Sequence, residues 1–148
     1  MMRIKTSELT GAALDWAVAK CEDLPLKLDP MGFRKDAPAS MQAGWWVWDG
    51  EGQNQVIGHR KTRRGDEDGY SPSADWAQGG PIIEREEIGL QRNAPCSFGR
   101  EWEARGSIMA KGAGYQFAYG PTPLIAAMRC YVASKLGDDI DIPEELTP

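Results

Sequence analysis

Apolar residues along the chain recur in two rhythms, and the changes of rhythm divide it into elements. Near the N-terminus, Leu14, Ala17, Val18 and Cys21 follow the i, i+3, i+4, i+7 spacing of a helix with one buried face. Ser7 or Thr10 can cap that helix, Trp16 lies at the edge of its stripe, and Glu22, Asp23 and Pro25 end it. Residues 2–6 (MRIKT) lead in as a short strand. Residues 24–43 carry three prolines and no clean period, so they read as a long connection with one strand near Leu26 and Leu28.

The rhythm then changes to alternation. In GWWVWDGEGQ, Trp45 and Val47 face one side of a strand and Trp46 and Trp48 the other. Asp49-Gly50 begins a turn, and Gln55 to Lys61 returns as the second arm of a β-hairpin. RKTRRGDEDG, which switches from basic to acidic, reads as a solvated hairpin end. The stretch from Tyr70 to Glu84, YSPSADWAQGGPIIE, is rich in turn formers: Ser71, Pro72, Ser73, Gly79, Gly80 and Pro81. It reads as a connection, with short apolar groups following at 82–83 and 88–90. Residues 91–99 read as a loop, and Glu101 to Ala104 as a strand alternating indole with charge. Residues 106–120 hold four glycines and suit a flap or a second hairpin arm.

The last element is the plainest. Thr122 is a good N-cap, Pro123 fits the first helical turn, and Gly137 fits the position after the end. Leu124, Ala127, Met128, Tyr131, Val132 and Leu136 make a continuous apolar face between them. From Ile140 the chain runs on as an extended acidic tail. With no internal repeat and no linker, the 148 residues form a single domain, residues 1–148. The expected fold class is α+β: a small sandwich of short antiparallel strands with an N-terminal and a C-terminal helix packed on the sheet.

Composition sharpens this picture. Hydrophobic residues make up 41% and charged residues 26%, the balance of a packed domain rather than a disordered chain. The net charge of −5 works against counterion-driven binding to duplex DNA. The alternative nucleic-acid contact is the basic run Arg60, Lys61, Arg63 and Arg64, with Asp66 to Asp68 close by to cancel its charge. Cys21, Cys96 and Cys130 are odd in number and widely spaced, which fits reduced thiols. No apolar run approaches the ~20 residues of a membrane span, and MMRIKTSEL has no apolar signal core. The expected location is the cytoplasm, without a membrane partner.

Catalytic chemistry finds little material. The single histidine, His59, lies in a basic run without a nucleophile elbow, so a Ser-His-Asp or Cys-His site is disfavoured. One His and three scattered Cys do not make a zinc site. Asp66 to Gly69 resembles a calcium loop, but its twelfth position is Ala77 rather than Glu. In Gly106 to Gly112 the Lys precedes the Gly, unlike a P-loop. Glu84, Glu86 and Glu87 offer a general base, with a solvated charged face as the plainer reading. No catalytic residue, metal site or cofactor is expected, and a role without catalysis is favoured.

KTSELTGAALDWAVAKCE, YSPSADWAQGGPIIEREEIGL, EWEA and GPTPLIAAMRCYVASKLGD, in that order, resemble the NinX family of phage proteins. A looser likeness, carried by the N-terminal helix, the YS loop, the W-x-A strand and the helix after Thr-Pro, is to a small phage α-β-α sandwich domain. The resemblance implies an accessory protein of lambdoid phages and prophages and supplies no catalytic residue set.

A connector does not need Tyr70, Asp75, Trp76 and Gln78 as well as its turn formers. An aromatic, a carboxylate and an amide beside Gly79 and Gly80 suit a small polar, nucleotide-like ligand. The helix start at Thr122 could hold its phosphate. Tyr70, Ser71, Asp75, Trp76, Gln78, Gly79, Gly80 and Thr122 are therefore the candidate ligand-binding residues. Arg129, two turns into the helix, is equally suited to meet a carboxylate or a ligand. Sequestration of a host signalling nucleotide against defence is the biological extension of this reading. The alternative is a protein–protein interaction module or homo-oligomer, built on the Trp-rich strands, acting in phage recombination, replication or host takeover.

Overall fold

The structure, a computed structural model, describes residues 1–30, 44–50, 54–57, 60–61, 67–94, 98–107 and 115–146. The fold is α+β, as the sequence rhythm requires. In chain order the elements are β1 (Met2–Lys5), α1 (Gly11–Cys21), β2 (Leu26–Leu28), β3 (Trp45–Val47), β4 (Gln55–Val56), β5 (Arg60–Lys61) and β6 (Glu67–Asp68). Then come α2 (Trp76–Arg85), β7 (Gly89–Arg92), β8 (Trp102–Ser107), β9 (Tyr115–Gly120), α3 (Pro123–Leu136) and β10 (Asp139–Ile142). One-turn 3-10 helices follow β1 (Thr6–Glu8) and β10 (Glu144–Leu146).

α3 is the centre of the molecule. Thr122 caps it through a hydroxyl that accepts from the Ile125 amide at 3.2 Å, and Gly137 ends it at φ +92°. Its buried residues include Ala126, Arg129 and Cys130 as well as the apolar stripe read from sequence as far as Val132, Leu136 being half-buried, so most of the helix is enclosed on nearly every side. One side packs on the antiparallel sheet β7-β8-β9, the other on α1. Close approach to the sheet requires small residues. Ala104 and Ala118 are opposite one another in register beneath the helix, and a Cβ on Gly120 would come 2.8 Å from the Ala126 amide nitrogen.

α1 buries Leu14, Ala17 and Val18 as expected, and Trp16 goes in with them, edge-on to Trp45 at 5.8 Å. The acidic tail departs from its reading as a free extension. Asp139–Ile142 pairs with β1, Ile4 opposite Ile140 and Met2 opposite Ile142, and both β10 isoleucines are buried. DIDI is a two-residue period, and alternation of this kind marks a half-buried strand.

The Trp-rich hairpin forms between β3 and β4, with β2 added on the other side of β3. Its second arm is shorter than expected. Gln55–Val56 ends in a bridge from Ile57 to Tyr70, while Arg60–Lys61 turns away to pair with Glu67–Asp68. The stretch 106–120 supplies a second hairpin arm, β9, opposite β8 in register. Its central residues, 108–114, are outside the described set.

The largest correction concerns Tyr70 to Glu84. Its second half is not a connection but helix α2, which begins at Asp75, whose carboxylate accepts from the Ala77 amide at 2.9 Å. Two glycines and Pro81 inside the helix hid it from propensity. Pro81 removes one internal hydrogen-bond donor, and tertiary packing compensates. Gly79 shows how. A Cβ there would overlap the Pro72 carbonyl oxygen and come 2.7 Å from Leu124 Cδ2, so the glycine lets α2 lie against both.

Candidate functional site

The residues selected from sequence fall into two groups. Tyr70, Ser71, Gln78 and Gly79 come together, and the Gln78 amide is bonded within the group to the backbone. The Gln78 side chain spans the turn before its helix: Oε1 accepts from the Ser71 amide at 2.6 Å, and Nε2 donates to the Gly69 carbonyl at 2.8 Å. Tyr70 is buried, its amide donates to Val56 at 2.7 Å, and burial pushes its phenol above the usual tyrosine range. The Ser73 amide donates to Asp15 Oδ1 at 2.9 Å, tying the turn to α1. The Asp75 carboxylate and the Thr122 hydroxyl each cap a helix. Trp76, 54% exposed, and Gly80, with open space beyond it, face outward instead. The α3 start does lie near this group, since Leu124 meets Gly79. These contacts brace the core, and a described cavity lined by none of these residues is elsewhere.

That cavity, about 670 Å³, opens where the ends of β1 and α3 meet the edge strand β9. Its volume is in the range of small-molecule sites. Arg129 is among its lining residues and is only 8% exposed. Nε donates to the Leu9 carbonyl at 2.8 Å and Nη1 to the Tyr119 carbonyl at 2.7 Å, so two separate chain segments fix the guanidinium plane. Nη2 makes no hydrogen bond, and no carboxylate lies within ion-pair distance of the group, among the described residues. Burial pulls the guanidinium below its ordinary pKa, though arginine stays charged. A buried cation without a counter-charge is costly, and an anion entering the cavity would relieve that cost.

The surroundings add exposed cations, carboxylates and aromatic rings. Because Tyr119 turns its carbonyl to Arg129, the alternation of an antiparallel strand turns the Tyr119 and Phe117 amides away from β8, toward the same free edge. On the rim stand Lys5 and Arg100, both exposed and neither in an ion pair among the described residues. The Arg100 guanidinium lies 4.8 Å from the Tyr119 ring centroid. Phe98, 93% exposed, and Phe117, 43% exposed, are both on this rim. Arg105 covers one side of the Phe117 ring at 5.0 Å. Asp138 and Asp139 add two exposed carboxylates. The base of the cavity is held by Thr6, whose hydroxyl donates to Gly137 at 2.7 Å and whose amide donates to Asp138 at 2.8 Å.

Other candidates are placed as follows. Glu86 is 3.7 Å from Lys135 and 3.4 Å from Arg85, which also reaches Glu22 at 2.7 Å and Tyr131 at 3.2 Å; this network clamps the three helices together. Glu84 and Glu87 are exposed. Cys21 and Cys130 are thiols pushed up by burial to about 12 and about 11. Among the described residues, no three His, Cys, Asp or Glu side chains gather as a metal would need. Arg60 and Lys61 are set opposite Asp68 and Glu67 in register, while His59, Arg63, Arg64 and Cys96 lie outside the described residues. Trp45, Trp46 and Trp48 are each half-buried.

Sequence reading singled out Arg129 without assigning it to a site, and it missed Lys5, Phe98, Arg100, Phe117 and Asp138 altogether. The cavity joins residues more than a hundred positions apart, and no local pattern encodes such a union. The one available signal was an arginine among the apolar residues of an otherwise enclosed helix. No helix among the described residues is long and apolar enough to cross a membrane. No curated protein matches the chain. A comparison with protein families matches residues 5–135 to the family described as Bacteriophage P22, NinX. The match runs from the end of β1 to the last turn of α3, Arg129 included, and the chain belongs to this phage family.

Proposed function

We propose that this phage protein is a non-enzymatic binding protein that holds a small, anionic, nucleotide-like ligand in the cavity floored by Arg129. The observation that carries the reading is the buried guanidinium itself. It is fixed by two carbonyls, lines the cavity, and has neither a carboxylate partner nor a hydrogen bond from Nη2 among the described residues. Arginine presents paired donors suited to phosphate, and here the orientation is set before any ligand arrives. The exposed rings of Phe98 and Phe117 suit the face of a flat ring, since aromatic and base stack readily. Asp138 and Asp139 can accept hydrogen bonds from hydroxyl or amino groups of the same ligand. A guanidinium held in this way binds charge and does not move protons, so the ligand would leave unchanged. Sequestration of a nucleotide from the host is the role that follows.

Thermal-shift titration with cyclic AMP, AMP and ATP at low ionic strength tests the reading, because a ligand that binds only the folded chain raises its melting temperature. At least one of the three should stabilise the wild type saturably. Lys5→Ala and Arg100→Ala, both at exposed positions, should weaken that effect, and Trp76→Ala, outside the cavity, should leave it unchanged. No stabilisation by any of them, or stabilisation lost in Trp76→Ala and kept in the rim variants, refutes it.

A further inference from the structure

Resting on the cavity reading above, we infer that the ligand is a phosphodiester carrying a single negative charge, rather than a phosphate monoester or a polyphosphate. The charge of the lining is mixed. Lys5, Arg100 and Arg129 are cationic and Asp138 and Asp139 anionic, which leaves an excess of one positive charge. Their placement matters as much as their number. Arg129 is buried at the floor, whereas both aspartates are exposed on the rim, and Asp139 stands opposite Lys5 in the β1–β10 register.

A phosphodiester seated on Nη2 presents one charge at the floor, where the guanidinium neutralises it. A phosphate monoester carries roughly −1.5 to −2 at neutral pH. A polyphosphate extends further charge from the floor toward the rim, where the two carboxylates offset Lys5 and Arg100 and leave no net positive charge to hold it. Charges in a partly desolvated cleft are screened less than in bulk water, so this balance discriminates. The rest of a diester ligand is its sugar and ring, which meet hydrogen-bond acceptors on Asp138 and Asp139 and aromatic faces on Phe98 and Phe117.

Cyclic AMP, AMP and ATP share base and sugar and differ in phosphate charge, so isothermal titration of the full chain with each, at low ionic strength and without divalent cations, isolates the variable. Cyclic AMP should bind about tenfold more tightly than ATP, with AMP between them. Asp138→Asn with Asp139→Asn should narrow that ratio by a gain in ATP affinity, and the single Asp138→Asn serves should the pair fail to fold. ATP binding as tightly as cyclic AMP, or a ratio unmoved by the aspartate changes, overturns the inference and leaves the cavity reading standing. Absence of binding by all three overturns both.

Discussion

Gln78→Ala separates a brace from a binding group. The Gln78 amide joins the Ser71 N–H at 2.6 Å to the Gly69 carbonyl at 2.8 Å, on a turn whose Ser71 is only 4% exposed. Two neutral hydrogen bonds contribute roughly 0.5–1.5 kcal/mol each, and leaving a buried N–H without a partner costs roughly 1–3 kcal/mol. Alanine returns a few tenths of a kcal/mol of helix propensity. The net loss should therefore be about 2–4 kcal/mol. For a chain of this length each kcal/mol moves the melting temperature by about 2–4 °C, so the expected fall is roughly 5–15 °C. Urea unfolding followed by tryptophan fluorescence reads the stability directly, and Gln78→Glu, which keeps the acceptor but turns a second oxygen on the Gly69 carbonyl, should also be destabilised. Nucleotide binding by the folded fraction should be unchanged. A loss below about 0.5 kcal/mol with impaired binding would refute the reasoning and return Gln78 to a ligand site.

Gly79→Ala drives a Cβ into the Pro72 carbonyl and to 2.7 Å from Leu124 Cδ2, and should cost about 1–3 kcal/mol in the same unfolding assay. Pro81→Ala restores the missing donor inside α2 and should raise stability by roughly 1–2 kcal/mol, after allowing for the freer unfolded chain; a lowered urea midpoint would contradict it. Burial pushes Cys130 up to about 11 and Cys21 up to about 12, whereas unfolded thiols ionise near about 8.5. Since the native state keeps its protons longer, this stabilisation is complete below about pH 8.5 and is lost as pH rises toward the native values. Urea midpoints should thus fall between about pH 9 and 11, and Cys130→Ala, though less stable at neutral pH, should show a shallower fall.

How far the sequence led depended on whether a residue's role was local. α3 was legible because cap, proline, apolar spacing and terminal glycine all agree on one helix. α2 was not, because Gly79, Gly80 and Pro81 each disfavour a helix on their own. Only the packing of Gly79 against Pro72 and Leu124, absent from local sequence, outweighs them. The Asp75 cap and the paired isoleucines at 82 and 83 were the visible signs. The strand in the tail was legible as alternation but masked by its charge. For the site, Arg129 drew notice as a charge on an apolar helix. Its partners lie at Leu9 and Tyr119, and the rim comes from the chain's two ends and the loop before β8, so the cavity exists only in the folded chain.

The most direct measurement of the central claim is a nucleotide titration of ¹⁵N-labelled protein, followed at the Arg129 Nε–H and the Gln78 side-chain amide. Both groups are held in the native fold, one at the cavity and one in the brace. The expected result is a saturable shift of the Arg129 signal with the Gln78 signal unmoved. A shift of Gln78 and the Trp76 indole with Arg129 unmoved would contradict the account and place the ligand on the stretch from Tyr70 to Glu84.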